Sequence, residues 1–256
     1  MLRALRKQDG EIVEAWGERA TSGRFTCPSC GEEVVLRQSK RRLDYFAHRP
    51  SVCVNGVGES AAHLQCKAEL FLHLTKSNGV SKVQLERHLV DVRADVCAEI
   101  KGAPVAIEVQ ISNLSMAEIS RRTVEYERRG IYVLWLAQWT PKLDSGRYTP
   151  KPWERWLHAA YFGRVYYWLE GTTIAPYHFE PAHVVVKGRR FIDKRGREKV
   201  SRSYSRRSVR WTRPLRGPTL DLLSDFRSRS RDWWKGGEIE VPPSKLYCDF
   251  HPHFWD

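Results

Sequence analysis

The chain of 256 residues lacks the long apolar segment that a membrane-spanning protein needs. No stretch approaches the roughly 18 uncharged apolar residues of a membrane helix, and the mean hydropathy is -0.53. The first ten residues also lack the apolar core that is typical of a signal peptide. We therefore expect a soluble, cytoplasmic protein that has no membrane partner.

Cysteine and acidic residues are both scarce. Six cysteines without a secretory signal argue against a framework of disulfides. The 30 acidic residues are outnumbered by 43 Lys and Arg, which gives a formal net charge of +13. Residues 187–216 contain 13 basic and 2 acidic residues, so this segment carries 11 of the 13 net charges. Such a run favours a polyanion, most commonly nucleic acid, as partner, although a solvated basic linker would have the same composition.

Hydrophobic periodicity predicts a compact α/β unit in the middle of the chain. A helix is expected at 59–76, and Ser115 with Glu118 forms a capping box that starts a second helix. The apolar run 131–137 is typical of a strand that is buried on both faces. Between the helices we expect strands at 83–90, 92–100 and 105–111. Beyond residue 141 we expect a helix at 153–161, strands at 164–169 and 178–186, and a mobile Arg/Ser-rich stretch at 194–219.

Four side chains near the start have the spacing of a zinc site. Cys27 and Cys30 are separated by two residues, His48 follows after 17, and Cys53 follows after four more. Three thiolates and one imidazole make the closed tetrahedral set that structural zinc prefers, and so small a unit has too little core to be stable alone. An isolated Cys-x-x-Cys beside an unrelated histidine is the alternative.

Two acidic residues on neighbouring strands suggest a second metal site. Asp95 lies on the strand at 92–100, and Glu108 and Gln110 share one face of the strand at 105–111. An acid inside so apolar a run is costly unless it is paired or bound to a metal. We therefore expect Asp95 and Glu108 to converge on a divalent cation. A solvent-facing glutamate on an edge strand is the alternative.

Both predicted helices place polar side chains on one face. Glu59, His63 and Lys67 follow one another at intervals of four residues on the first helix, and Arg122 and Tyr126 do so on the second. A cation beside a phenol suits a phosphate group. Ordinary solvated helix faces would show the same spacing.

Taken together, these motifs resemble the competence protein CoiA-like family of the PD-(D/E)xK nuclease superfamily. The resemblance covers about residues 25–140 and rests on six pieces, namely the Cys-x-x-Cys with 45–48, then 58–67, 93–96, 107–112, 121–126 and 133–136. It implies an α/β, restriction-endonuclease-like core at 58–150. A zinc-ribbon-like unit at 1–57 would precede this core, and a C-terminal extension at 151–256 with a basic, partly flexible DNA-binding segment would follow it.

The function implied by the resemblance is that of a metal-dependent deoxyribonuclease, acting in transformation and recombination or in defence against phage or other foreign DNA. Asp95 and Glu108 would hold Mg²⁺ or Mn²⁺, and Glu59 would be a further ligand or would orient a water molecule. His63 would handle the proton. Gln110 stands where the superfamily has lysine, and Lys67 could take over from that residue.

Contacts with DNA, single- or double-stranded, are expected from the second helix and the basic segment. Trp211 and Tyr204 could stack on bases of single-stranded DNA. Gln110 keeps open the alternative of a non-catalytic DNA-binding module built on a nuclease fold. A homo-oligomer or a partner protein also remains open. The candidate DNA contacts are Arg122, Tyr126, Arg206, Arg207, Arg210 and Arg213.

Overall fold

The computed structural model describes residues 1–19, 23–40, 43–48, 59–111 and 114–255. Five short strands form an N-terminal antiparallel sheet in the order β2-β1-β3-β4-β5. A small core of its own lies against this sheet, where the rings of Phe25 and Phe46 are 4.9 Å apart. The strands are β1 (Arg3–Arg6), β2 (Ile12–Glu14), β3 (Phe25–Thr26), β4 (Glu33–Arg37) and β5 (Tyr45–His48).

A second, larger sheet follows the predicted order of helix, three strands, helix and strand. Ser60 caps α1 by accepting the N–H of His63, and Ser115 caps α2 by accepting the N–H of Glu118, as the capping box predicts. The hairpins β6–β7 and β7–β8 are antiparallel, whereas β8 and β9 are parallel. The elements are α1 (Ala61–Lys76), β6 (Val80–His88), β7 (Arg93–Ile100), β8 (Ala103–Gln110), α2 (Met116–Arg128) and β9 (Tyr132–Gln138).

The remaining residues extend this sheet. On the side away from β8, β9 pairs in parallel with both β10 and β19. The antiparallel strands β11 and β14 continue the sheet beyond β10. The elements are α3 (Pro152–Ala160), β10 (Val165–Glu170), β11 (Thr173–Val186), β12 (Arg190–Ile192), β13 (Glu198–Val200), β14 (Tyr204–Arg216), β15 (Leu220–Asp221), β16 (Phe226–Arg231), β17 (Trp234–Gly236), β18 (Ile239–Val241) and β19 (Ser244–Asp249).

Two expectations for the C-terminal part need correction. Residues 151–256 were expected to form an extension, but their described part shares one sheet and one hydrophobic core with residues 59–150. The stretch 194–219 was expected to be mobile, but it contains β14, whose backbone pairs with nine residues of β11. In both cases the missing information was the strand partner, which lies elsewhere in the sequence.

The structure is therefore mixed α/β, with a large and mostly antiparallel sheet. The apolar strand β9 lies inside this sheet and is buried over most of its length, as its composition predicts. Among the described helices, none is both long enough and apolar enough to cross a membrane.

Candidate active site

Three predicted side chains meet at a pocket of about 420 Å³ between α1, β7, β8 and α2. Glu59 lies just before α1, His63 lies in its first turn, and Asp95 lies on β7. His63 Nε2 is 3.1 Å from Asp95 Oδ2, and His63 Nδ1 is 3.9 Å from Glu59 Oε1. One ligand atom from each of the three lies within 4.8 Å of the others. This trio could hold a cation.

Asp95 is buried and stays ionised. Its Oδ2 accepts the backbone N–H of Val109 at 2.9 Å, and its Oδ1 is 3.7 Å from Lys67 Nζ. Burial opposes ionisation, but Lys67 and His63 outweigh it and hold the pKa of Asp95 well below its usual range. The site therefore offers a carboxylate rather than a carboxylic acid.

Lys67 lies behind the pocket and has no exposed surface. Its Nζ donates to Glu59 Oε1 at 2.7 Å and to Glu86 Oε1 at 2.6 Å. Burial opposes protonation, but Glu86, Asp95 and Glu59 raise the pKa of Lys67 above its usual value. Lys67 was expected to take the place of the superfamily lysine beside the phosphate. The structure corrects this expectation, because the ammonium is buried against carboxylates and does not line the pocket.

Two further residues of the site were missed from the sequence. Glu86 of β6 accepts from Lys67 and also accepts the backbone N–H groups of Leu2 and Arg3 at 3.1 and 3.3 Å. Arg93 lines the pocket and donates to Glu59 at 3.2 Å. Burial opposes the ionisation of Glu59, but Lys67 and the N-terminal ammonium of Met1 outweigh this effect and lower the pKa of Glu59 to about 2.

Glu108 is adjacent to the trio but has other partners. The pairing of Val96 with Ile107 places Asp95 opposite Glu108 when it is continued by one residue. The Glu108 carboxylate accepts from Arg122 and from the Tyr126 hydroxyl. Burial raises the pKa of Glu108 to about 7, although Arg122 opposes this shift. The ligand atoms that converge are thus those of Glu59, His63 and Asp95, and a shared ion between Asp95 and Glu108 stays a prediction.

The other predicted residues of this region divide into two groups. Gln110 and Arg122 line the pocket, and the Arg122 guanidinium also stacks over Trp135 at 5.2 Å. Tyr126 is fully buried and its hydroxyl donates to Glu108. The expectation that Tyr126 binds substrate is therefore wrong, because its only polar atom faces the protein interior.

Three of the four predicted zinc ligands come together in the N-terminal sheet. Cys27, Cys30 and His48 each place one ligand atom within 4.8 Å of the others, and Cys30 Sγ lies 3.4 Å from His48 Nε2. The N–H of Ser29 donates to Cys27 Sγ at 3.4 Å. Burial raises the pKa of the Cys27 thiol, but hydrogen bonds from the backbone of Ser29 and Cys30 outweigh it, so that the pKa is lowered. Cys53 lies outside the described residues.

The four arginines predicted to bind DNA are exposed on β14. Arg213 lies 3.9 Å from Glu180 on the neighbouring strand. Trp211 is half-buried, and the guanidinium groups of Arg147 and Arg210 lie 5.4 and 6.0 Å from its ring centre, whereas Tyr204 is exposed. The predicted set is Arg206, Arg207, Arg210 and Arg213.

Comparison with known proteins gives matches over the first 150 residues. The family model of the competence protein CoiA nuclease-like domain matches residues 59–150, and that of the competence protein CoiA N-terminal domain matches residues 9–55. A Bacillus subtilis (strain 168) protein described as competence protein CoiA is 29% identical over 115 residues. The match covers 44% of this chain and 31% of that relative, so the chain spans about a third of the relative's length. No solved structure matches.

Proposed function

Because the chain belongs to the competence protein CoiA family, we propose that it is a metal-dependent deoxyribonuclease that processes DNA during transformation or recombination. The observation that carries this proposal is the convergence of Glu59, His63 and Asp95 in a pocket whose wall also contains arginines. The succession of α1, β6–β8, α2 and the parallel strand β9 fits the restriction-endonuclease-like core that the sequence implies.

The donor atoms of the site suit a divalent cation. Glu59 and Asp95 supply two carboxylates, which are ligands that both Mg²⁺ and Mn²⁺ accept. Glu59 Oε2 is buried and accepts no hydrogen bond from the described residues, while the Met1 ammonium lies 3.2 Å away. We therefore expect both Mg²⁺ and Mn²⁺ to support activity.

Six residues of the pocket would take part in phosphodiester hydrolysis. A bound cation would polarise the phosphoryl oxygen and lower the pKa of a bound water. Asp95 and Glu59 would hold it, and His63, oriented by Asp95, would accept the proton of the attacking water. Gln110 would orient that water. Arg122 and Arg93 would offset the negative charge that develops on the phosphate.

Lys67 would act without touching the substrate. Its ammonium lies among Glu59, Glu86 and Asp95, within 3.7 Å of an oxygen of each. It thereby reduces the repulsion between carboxylates that must stay close together if a cation is to bind. In this respect it serves the site as a positioning residue.

A structural zinc ion is the second part of the proposal. Cys27, Cys30 and His48 supply three ligands of suitable chemistry, and Cys53 is proposed as the fourth. Zinc would hold the turn after β3 to the end of β5. It would thus stabilise the N-terminal sheet and would take no part in hydrolysis.

DNA cleavage by the full chain tests the nuclease proposal. Labelled single- and double-stranded DNA is incubated with Mg²⁺, Mn²⁺ or EDTA, and we expect cleavage with either metal and none in EDTA. Asp95→Asn should lower the rate at least about 100-fold, because the variant loses a charged ligand and the partner of His63.

Glu99→Gln is the matched control for Asp95→Asn. Glu99 lies on the same strand, and its carboxylate pairs with the surface residue Lys82 at 2.7 Å, so this variant should cleave DNA normally. The proposal is wrong if the wild-type chain cleaves neither form of DNA with either metal, or if Asp95→Asn is as active as the wild type.

A non-catalytic DNA-binding module is the second candidate function. One observation favours it: Glu59 is already paired with Lys67 and Arg93, and Glu108 with Arg122, so internal cations compete with a metal for the acidic groups. In this case the chain would bind DNA in the assay above and would leave it intact.

A further inference from the structure

A second and larger cavity, of about 1030 Å³, lies between α3, β14, β16 and the β17–β18 hairpin. It shares no lining residue with the candidate active site. Among the charged side chains that line it, five are arginines and one is a carboxylate. These residues are Arg155, Arg207, Arg210, Arg229, Arg231 and Asp232.

Arg231 is the most informative residue of this cavity. Only 9% of its surface is exposed, and its Nε–H donates to no partner among the described residues. Its guanidinium lies 4.3 Å from the ring centre of Phe162 and 5.6 Å from that of Trp234. Burial and the charge of Arg229 lower the pKa of Arg231. A buried cation without a carboxylate is costly, so an anionic ligand would stabilise this arrangement.

Arg229 adds a second guanidinium at the same place. It is two residues from Arg231 on β16, and it lies 3.8 Å from the same ring, that of Phe162. Within the described part of the chain neither arginine is ion-paired, and the nearby Asp232 is exposed. Two guanidinium groups on one ring, with no carboxylate paired to either, have the charge and the donors that suit a phosphate.

The backbone holds the Phe162 ring in this position. The N–H of Gly163 donates to the carbonyl oxygen of His158 at 2.7 Å and closes the end of α3. This leaves Phe162 at φ 55°, in the left-handed region that favours glycine. A bulky aromatic side chain in such a conformation is strained, and strain of this kind is common at ligand sites.

Two exposed tryptophan rings line the same cavity as Arg229 and Arg231. Trp233 is 56% exposed and Trp234 is 38% exposed, and both line the cavity. Aromatic faces next to phosphate-binding guanidinium groups are the two components of single-strand recognition, because only unpaired bases can stack on a side chain. In a duplex the same bases are stacked on one another.

From these contacts we infer that the cavity binds single-stranded DNA, with a phosphate on Arg229 and Arg231 and unpaired bases on Trp233 and Trp234. The inference rests on the proposed function in one respect, that the polymer is DNA. It adds a second site, outside the pocket of Glu59, His63 and Asp95, that selects for an unpaired strand.

Binding of a fluorescent oligothymidine of about 20 nucleotides to the full chain tests this inference. Fluorescence anisotropy is measured without added Mg²⁺ or Mn²⁺, so that no strand is cut and the proposed zinc stays bound. The double variant Arg229→Gln and Arg231→Gln should bind about tenfold more weakly. The slope of log affinity against log salt should fall by up to about 0.7 for each lost phosphate contact. Affinity for a duplex of the same length should change little.

Two further variants distinguish the loss of a DNA contact from a loss of folding. Arg227→Gln removes an arginine of the same strand that stacks on Phe250 and does not line the cavity, so it should bind as the wild type does. Phe162→Gly relieves the strained backbone and removes the shared ring. It should weaken binding of the oligothymidine while the protein stays folded by circular dichroism.

Three outcomes would overturn the inference. They are unchanged oligothymidine binding in both cavity variants, an equal loss of duplex binding, and thymidine monophosphate binding as tightly as the oligomer. The last would indicate a site for a free nucleotide. The assay needs no cleavage, so the two proposals can fail separately. A chain that binds through Arg229 and Arg231 but cuts no DNA would support this inference and contradict the proposed nuclease activity.

Discussion

Lys67 is buried among three acidic side chains. Glu59, Glu86 and Asp95 each place an oxygen within 3.7 Å of its ammonium, and all four side chains are largely buried. Two of these acids belong to the candidate active site and the third accepts backbone N–H groups of the N-terminal strand. The charge of one lysine therefore affects both regions.

Lys67→Met should destabilise the protein by about 3–5 kcal/mol, because it leaves three buried carboxylates that repel one another. Urea unfolding at neutral pH measures the loss. Adding Glu86→Gln should recover part of the stability, since one like charge is removed. Lys82→Met, which breaks an exposed pair with Glu99, should cost less than about 1 kcal/mol. Equal losses at Lys67 and Lys82 would contradict this account.

His158 should make stability depend on pH. Its Nε2 accepts the N–H of Phe179 at 3.2 Å and lies 3.1 Å from His178 Nδ1. Burial and His178 lower the pKa of His158 from 6.5 to about 4. The unfolded chain thus takes up the proton first. The contribution of His158 is complete above about pH 6.5 and is lost as the pH falls, by up to about 3 kcal/mol at pH 4.

Thermal or urea unfolding between pH 7.5 and 4 checks this prediction. His158→Gln keeps an acceptor for Phe179 and removes the titrating group, so its stability should fall less steeply than that of the wild type. A pH dependence that is the same in both proteins would show that His158 does not titrate in this range.

Individual residues show where sequence reasoning ends. Glu59, His63 and Asp95 were found because helical spacing and strand position fix which face they occupy. Glu86 was not found because β6 has positive φ angles at Lys82 and Glu86 and an irregular register. These irregularities disrupt the alternation on which such reasoning depends. Spacing also placed Arg122 and Tyr126 on one face of α2 correctly, but it could not show that Tyr126 faces the protein interior.

Secondary-structure elements were predictable where an element and the strand or helix that it packs against are close in sequence. Helices α1 and α2 and strands β7 to β9 lie near their predicted positions. Strands β14, β16 and β19 escaped prediction, because an Arg/Ser-rich composition is typical of mobile segments and because β19 pairs with β9, more than 100 residues earlier. The stability of such strands comes from pairing, which local sequence does not contain.

The exposed arginines of β14 should govern affinity for duplex DNA. Changing all four to Gln should flatten the plot of log affinity against log salt by up to about 0.9 per lost phosphate contact. Cleavage at saturating DNA should persist, because the strand does not line the active-site pocket. The substituted residues are Arg206, Arg207, Arg210 and Arg213.

A charge-matched variant is the control for β14. It loses four exposed basic residues elsewhere and should keep most of the salt dependence. An unchanged slope in the β14 variant would mean that this strand faces away from the duplex. The control positions are Lys7, Arg37, Lys76 and Lys82, which lie in the turn after β1, on β4, on α1 and on β6.

At the scale of the whole molecule, the described chain has two hydrophobic cores of very different size. The N-terminal core contains eight buried residues, whereas the larger core includes residues from Leu2 to Cys248. A core of eight residues is too small to stabilise a sheet without further help. The N-terminal sheet should therefore depend on metal, and the large sheet should not.

Metal analysis of the purified protein should find about one zinc ion per chain, as the closed ligand set requires. Replacing Cys27 and Cys30 with Ser should remove it. Hydrogen exchange should then accelerate in β1–β5, while β7–β9 stay protected. Cys66→Ser and Cys97→Ser, at two buried cysteines of the large core, are the controls that should retain zinc. Protein without zinc, or uniform acceleration in both sheets, would contradict the prediction.

The position of β14 has a consequence for self-association. Within the described chain, β14 has a strand neighbour on one side only, and an unpaired strand edge can recruit a second copy and start aggregation. Tyr148 covers this edge at Thr212 with two hydrogen bonds, of 2.8 and 2.9 Å, and Pro214 offers no N–H. Along the rest of the edge, exposed arginines would repel an identical strand. Colloidal stability and polyanion affinity thus depend on the same arginines of β14. The variant that replaces these arginines should therefore precipitate more readily than the wild type.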